Sequence, residues 1–196
     1  MDSRERVLKA AVELMNREGL TALSMREVAR RAGVSHQAPY HHFENREAIL
    51  AAIAEEGFKN FNAALQSASG RHAIDRLVSA GRIYIEFALS HPAHFHVMFR
   101  PELVDLRKYP SAQAQASRGF AILQSLVDGL VNEKLFPARL AGGMTILTWS
   151  FVQGLSGLLL EGPLAQMAGE LKTNDQIESA LRAFEFLASC RGKNRS

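Results

Sequence analysis

Ser35, His36, Gln37 and Ala38, followed at once by Tyr40, His41 and His42, concentrate hydrogen-bonding and small side chains in one short stretch of this chain. Their chemistry is that of binding and not of turnover. A glutamine amide can form a two-bond pair with adenine, an imidazole can donate to guanine or phosphate, and an alanine methyl can touch the methyl of thymine. A tyrosine hydroxyl and further imidazole N–H groups one turn later suit phosphate oxygens at the wall of the groove. Base edges in the major groove are reached mainly from the first turns of an inserted helix, so Ser35 to Ala38 are expected to read bases and Tyr40 and His41 to hold the backbone. Of the neighbouring aromatic groups, Phe43 is expected in the core and His42 beneath the helix.

The elements that would position these groups are legible on either side. Ser24 and Glu27 have the spacing of a capping box, in which each side chain bonds an orphan N–H of a starting helix. The helix from Ser24 to Ala32 places Met25, Val28, Ala29 and Ala32 on one face and Arg26, Glu27, Arg30 and Arg31 mostly on the other. Gly33 can take the left-handed conformation that ends a helix, Val34 can cover the junction, and Ser35 can restart the chain as an N-cap. Two short helices about a glycine turn form the outline of a helix-turn-helix. Pro39 fits this plan only if the first turn of the second helix is irregular.

Elsewhere the apolar period is helical. Val7, Leu8, Ala11, Leu14 and Met15 form a stripe along residues 3 to 18, with Gly19 as the stop. From Asn45 the spacing of Ile49, Leu50, Ile53, Phe58, Phe61 and Leu65 continues as far as Gly70, a connecting helix of about 24 residues and roughly 36 Å. Helices over 72 to 90 and from His91-Pro92 to Phe99 come next. Pro101 stops the latter and a weak segment spans 102 to 109. Stretches 111 to 132, 138 to 160 and 174 to 190 are long helices, the last with a capping box at Thr173 and Gln176. No alternating strand pattern or repeat interrupts them, so the fold class is all-α.

Composition narrows the function. Net charge is only +3 over 196 residues, and the first 50 hold eight Lys/Arg against seven Asp/Glu, so placement of charge must argue for nucleic acid where its bulk does not. Hydrophobic residues make up 47% of the chain, enough for a substantial core. The single cysteine, Cys190, allows no internal disulfide and reads as a small residue on the last helix. His91, His94 and His96 have metal-ligand chemistry but sit on different helix faces without a carboxylate or thiolate cluster, and no metal or other cofactor is expected. An enzyme on an all-α scaffold is disfavoured because no nucleophile has recognisable context and no phosphate loop follows a strand. The N-terminus lacks the continuous apolar segment of a signal peptide and no run approaches the roughly 18 apolar residues of a membrane span. The expectation is a cytoplasmic protein with no membrane partner.

VLKAAVELMNREGLTALSMREVARRAGVSHQAPYHHFENREAIL resembles the N-terminal domain of the TetR family of transcriptional regulators, through an apolar first helix, a Gly-Leu-Thr bend, the AGVS turn, and Tyr-x-x-Phe with a basic residue three places later. Farther on, YIEFALSHPAHFHVMF and TWSFVQGLSGLLLEG resemble the C-terminal sensing domain of some members, known for a Trp and a His-Gly pair; Trp149 and Gly154 fit, and Gln153 stands where the His is usual. The resemblance implies about nine helices, three of them a DNA-binding head. It implies phosphate contacts from Tyr40 and Arg46, with Ser24 and Arg26 as further candidates. Residues 1–46 would be the head, 47–70 the connecting helix, 71–191 a sensing and dimerisation domain, and 192–196 a polar tail.

The partners implied are a palindromic double-stranded DNA operator, a small, largely apolar effector and a second copy of the chain. Phe87, Phe95, Met98, Phe99, Trp149 and Gln153 are candidates to line the effector site, since such sites are concave and apolar with a few polar groups. Two stripes are candidates for the dimer: Ile177, Leu181, Phe184 and Ala188 on the last helix, and Leu147, Phe151 and Leu158 with Gly143 and Gly154 on an earlier one, whose glycines allow close approach. The reading is a repressor released by its effector. Activation, or DNA binding without any effector, are the alternatives.

Overall fold

The computed structural model describes residues 2–167 and 172–189; Cys190 and the 192–196 tail lie outside the described residues. Among those described, the chain forms nine α-helices and no strands: α1 (Ser3–Glu18), α2 (Met25–Ala32), α3 (Arg46–Leu65), α4 (Ala73–Ser90), α5 (Pro92–Met98), α6 (Pro110–Asn132), α7 (Ala141–Leu160), α8 (Pro163–Met167) and α9 (Thr173–Ser189). The all-α expectation holds.

The chain divides into two compact units. The first gathers the described residues up to Asn60 with His91–Ser117, so that α5 joins the N-terminal helices across a long gap in sequence. Asp2 and Glu5 form a capping box at the start of α1, and the stripe Val7, Leu8, Ala11, Leu14 and Met15 is buried, packed against α2. Gly19 (φ 80°) ends α1, and a short 3-10 turn, Leu20–Ala22, leads to Ser24, whose hydroxyl oxygen accepts from the Glu27 N–H at 3.2 Å. Asn45 caps α3, its side-chain oxygen accepting from the Ala48 N–H at 3.0 Å.

Within the same unit α5 lies close on α3. A Cβ at Gly57 would stand 2.7 Å from Met98 Sδ and 3.1 Å from His94 Cβ, so any side chain there would force Met98 and His94 to shift. Phe99 meets Phe58 edge-on at 5.6 Å and Phe95 at 5.1 Å.

The second unit comprises Phe61–Ser90 and the described residues from Arg118 onward. Ala73, Leu77, Val127, Leu130, Met144, Phe184 and Ala188 form one buried cluster, and Ile85, Ile177 and Leu181 another. Gly81 on α4 lets Leu181 and Val152 approach, at 3.3 and 3.5 Å from where its Cβ would be. Glu133, at the end of α6, accepts the Ala73 N–H at 2.9 Å and pairs with Arg76 at 2.9 Å, fastening the start of α4.

Two expectations need correction here. The connecting helix ends at Leu65 and not near Gly70, because Ser67 turns its hydroxyl back onto the Ala64 carbonyl at 2.7 Å and the chain leaves the helix. Thr173 is the first residue of α9 and not its cap; the Gln176 N–H bonds the Lys172 carbonyl at 3.1 Å. By length and composition alone the stretch Ala138–Leu160 is apolar enough to cross a membrane (mean hydropathy 1.3), yet α7 packs on α4 within the second unit, with 28% of the stretch's most apolar window buried within the chain. That stretch therefore presents an open apolar face.

Candidate nucleic-acid interface

Gly33 closes α2 in the left-handed conformation (φ 63°, ψ 39°), its N–H returning to the Ala29 and Arg30 carbonyls. Val34 donates to the Ala29 carbonyl at 3.1 Å, completing the C-terminal cap that the glycine permits. Beyond this cap the chain departs from the second helix expected. Ser35 opens a tight turn (Ala38 N–H to Ser35 carbonyl, 3.0 Å), and a single 3-10 turn, Ala38–His41, stands where a longer helix was anticipated. Pro39 is the cause: it offers no N–H, fixes its own φ, and is buried beneath the turn. Phe43 is buried as anticipated.

This short turn presents its side chains outward. Ser35, His36, Gln37, Tyr40 and His41 are all exposed, whereas Ala38 is half-buried. The His36 and Tyr40 rings lie 6.5 Å apart, forming one surface across the turn. His42 is exposed too, but its Nε2 is hydrogen-bonded to the Ser3 hydroxyl at the start of α1, and Arg4 lies over the Phe43 ring at 5.4 Å. Ser24 and Arg26 are exposed at the start of α2. Ser24 has spent an acceptor lone pair on its cap and keeps its hydroxyl proton as a donor.

Several cations of this unit are engaged within it. Arg46 donates from Nε to the Leu23 carbonyl at 2.9 Å and from Nη2 to the Leu20 carbonyl at 3.1 Å. Arg6 donates to the Ala32 and Gly33 carbonyls at 2.7 and 3.0 Å. Arg30 pairs with Glu27 and Arg31 with Glu18, and the Glu27 carboxyl is held below its ordinary pKa chiefly by its hydrogen bond from Arg30. Sequence reasoning missed Arg6; the only available signal was its position on the outer face of α1, one residue before the buried stripe begins.

The six residues expected around an effector fall into two clusters. Phe95, Met98 and Phe99 are packed against α3 in the first unit. In the second, Trp149 donates its indole N–H to the Tyr84 hydroxyl at 3.3 Å, which in turn donates to Gln153 Oε1. Phe87 reaches this group through Phe61, whose ring lies 5.2 Å from Phe87 and 5.1 Å from Tyr84. Burial pushes the Tyr84 phenol well above its ordinary pKa, so it stays neutral and acts as donor and acceptor at once. Tyr84 lies on the buried stripe of α4, which in sequence marks it only as a core residue.

The dimer candidates separate as well. Ile177, Leu181, Phe184 and Ala188 lie in the chain's own core, because the amphipathic stripe of α9 is what α4 and α7 bury. Phe151 is half-buried and stacks on Phe184 at 4.8 Å, while Leu147 and Leu158 are exposed. The apolar side chains left uncovered include Ile146 (65% exposed), Phe186 (66%) and Leu187 (68%). A groove of about 560 Å³ runs between α7 and α9, lined by Leu140, Gly143, Leu147, Phe184 and Leu187 among others, every one of them apolar.

Comparison with known proteins agrees with this geometry. Residues 7–53 match the family described as bacterial regulatory proteins, tetR family, and residues 77–184 match the tetracyclin repressor-like C-terminal domain. The chain is 46% identical over 52 residues to the class C tetracycline repressor protein of Escherichia coli, covering 26% of this chain and 24% of that protein. It is 24% identical over 94 residues to the uncharacterized HTH-type regulator YobS of Bacillus subtilis, covering 47% and 49%. It thus spans between a quarter and a half of the length of these curated relatives. Among solved structures, a protein of unknown function from Rhodococcus sp. RHA1 superposes with a TM-score of 0.78 at 24% identity, over 96% of this chain and 94% of that one. The TetR family regulator PfmR of Thermus thermophilus does so with 0.72 at 21% identity, over 97% and 100%. With one domain match over the head and another over more than half of its length, the chain belongs to the TetR family of DNA-binding bacterial regulatory proteins.

Proposed function

We propose that this protein is a homodimeric repressor that reads a palindromic operator with Ser35–His41 and leaves it when a small, largely apolar effector binds. The observation that carries the reading is the turn at Gly33 followed by five exposed hydrogen-bonding side chains on a segment anchored from below by Pro39 and Phe43. Gln37 and His36 reach base edges; Tyr40 and His41, with Ser24 and Arg26, hold phosphates. A single head reads few base pairs, and a two-fold partner doubles the site. The open apolar face of α7 and α9 supports that partner, in place of the buried α9 stripe.

The effector acts through a population shift, binding more tightly to a dimer whose heads no longer fit successive major grooves. The Trp149–Tyr84–Gln153 chain of hydrogen bonds supplies polar recognition beside aromatic walls. The test is selection of a duplex from a random pool by the purified protein at stated salt, followed by Gln37→Ala and Tyr40→Phe. Gln37→Ala should weaken the selected duplex by roughly 10- to 100-fold and relax one base position. Unchanged affinity in both variants would count heavily against the reading. A reporter with the selected site placed over a promoter distinguishes repression from activation.

A further inference from the structure

We infer that Arg46 is a positioning residue: its guanidinium is a strut between α3 and the turn before α2, and does not bind DNA phosphate. The inference rests on the DNA-binding reading above. The resemblance of this segment to its family makes the basic residue at position 46 a backbone contact, yet here the side chain turns inward. It is half-buried, with Nε on the Leu23 carbonyl at 2.9 Å and Nη2 on the Leu20 carbonyl at 3.1 Å. The Leu20 carbonyl belongs to the first residue of the 3-10 turn Leu20–Ala22, and the Leu23 carbonyl follows that turn and immediately precedes the Ser24 cap of α2. A fork of two donors on two carbonyls fixes both distance and angle between the elements it joins.

Arg6 does the corresponding work at the other end of α2. Its Nη2 bridges the Ala32 and Gly33 carbonyls, and a Cβ at Gly33 would lie 3.4 Å from that nitrogen. The helix before the reading turn is thus tied at its start by a guanidinium from α3 and at its end by one from α1. Moving Arg46 out to a phosphate would leave the Leu23 carbonyl to be satisfied by water and the Leu20 carbonyl with only its backbone bond from the Leu23 N–H, and would loosen the angle at which Ser35–His41 is presented. Two cations that composition counts toward DNA are therefore spent on geometry.

Salt dependence separates the two roles. Each phosphate contact releases condensed counterions, so losing one lowers the slope of log K against log salt by about 1 and weakens specific and non-specific binding alike. Losing a strut leaves the slope unchanged and weakens specific binding alone. The experiment measures affinity of the full-length protein for its selected duplex and for a scrambled one, at four salt concentrations, for wild type, Arg46→Gln and Arg46→Lys, with thermal unfolding of each. We expect both variants to lose roughly tenfold on the selected duplex, with the scrambled duplex and the slope unchanged, and both to melt below wild type. Lysine should not rescue, because one ammonium cannot reproduce the fork. A slope reduced by about 1 in Arg46→Gln, with Arg46→Lys behaving as wild type, would overturn the strut. If Arg46→Gln does not fold, Arg46→Lys alone decides between the two results. A wild type that selects no duplex overturns the DNA-binding reading instead, and in that case a melting temperature unchanged in both variants overturns the strut separately.

Discussion

The indole N–H of Trp149 on α7 and the hydroxyl of Tyr84 on α4 lie 3.3 Å apart, and the same hydroxyl donates onward to Gln153. One phenol oxygen thus joins two positions a helical turn apart on α7, and does so from a buried site. Tyr84→Phe keeps the ring against Phe61 but strips both bonds. We expect a loss of about 1–2 kcal/mol in unfolding free energy, measured by urea titration. Because Trp149 is the chain's one tryptophan, the variant should also shift the fluorescence spectrum. An unchanged spectrum would mean that the two side chains are not in contact.

Gly33 offers a test of the turn itself. Gly33→Ala places a side chain at φ 63° and crowds Arg6 Nη2, and it should cost about 1–2 kcal/mol through left-handed strain. Gly142→Ala, where a Cβ meets nothing within 4 Å on a helix, should be neutral or slightly stabilising. Differential scanning calorimetry of the pair checks the contrast.

His94 gives the pH dependence a sign. Its Nε2 is buried without a hydrogen-bond partner, 3.7 Å from Glu56 Oε1, and burial pulls its pKa below the ordinary histidine value by more than the nearby carboxylate raises it. The folded state therefore prefers the neutral ring. Its contribution to stability is present above the unfolded value of about 6.5 and is lost as pH falls through the folded one. Thermal unfolding from pH 7.5 down to 5 should show a decline that His94→Gln flattens. An equal decline in the variant would assign the effect to other groups.

Two leucines on the last helix separate interface from core. Leu187→Glu changes a side chain that its own chain leaves open, so the monomer fold should be little affected while sedimentation equilibrium shifts from dimer to monomer at micromolar concentration. Leu181→Ala removes a buried side chain packed with Ile85 and Ile177, and should cost about 2–4 kcal/mol. A dimer unaffected by Leu187→Glu would place the second copy elsewhere.

The fold was legible where period and punctuation agree. Val7 to Met15 with Gly19, and Ser24 with Glu27 and Gly33, specify α1, α2 and the turn because helical spacing and caps act over a few residues. What was not legible depends on distant partners. The α9 stripe has one appearance whether its cover is α4 of its own chain or another molecule; burial of Leu181 against Ile85 decides between them. Arg46 likewise has one appearance whether it faces phosphate or the Leu20 and Leu23 carbonyls, which lie more than 20 residues earlier. Pro39 reads in the sequence as a constraint on the first turn, but how far its missing N–H and fixed φ shorten the element, to the one turn Ala38–His41, shows only in the fold.

If Ser35–His41 reads DNA as proposed, an element of one turn also limits how much information a head can extract. With Ala38 half-buried and His42 tied to Ser3, few side chains remain to question the base edges. A bacterial genome offers on the order of a million or more competing registers, and each discriminated base pair contributes only about 1–3 kcal/mol. If two copies bind as proposed, an address written in so few letters would carry much of its meaning in the gap between its two halves. A change in the spacing of the half-sites should then be tolerated less well than a change in any one letter, and the ruler measuring that gap would be the proposed pairing of two chains.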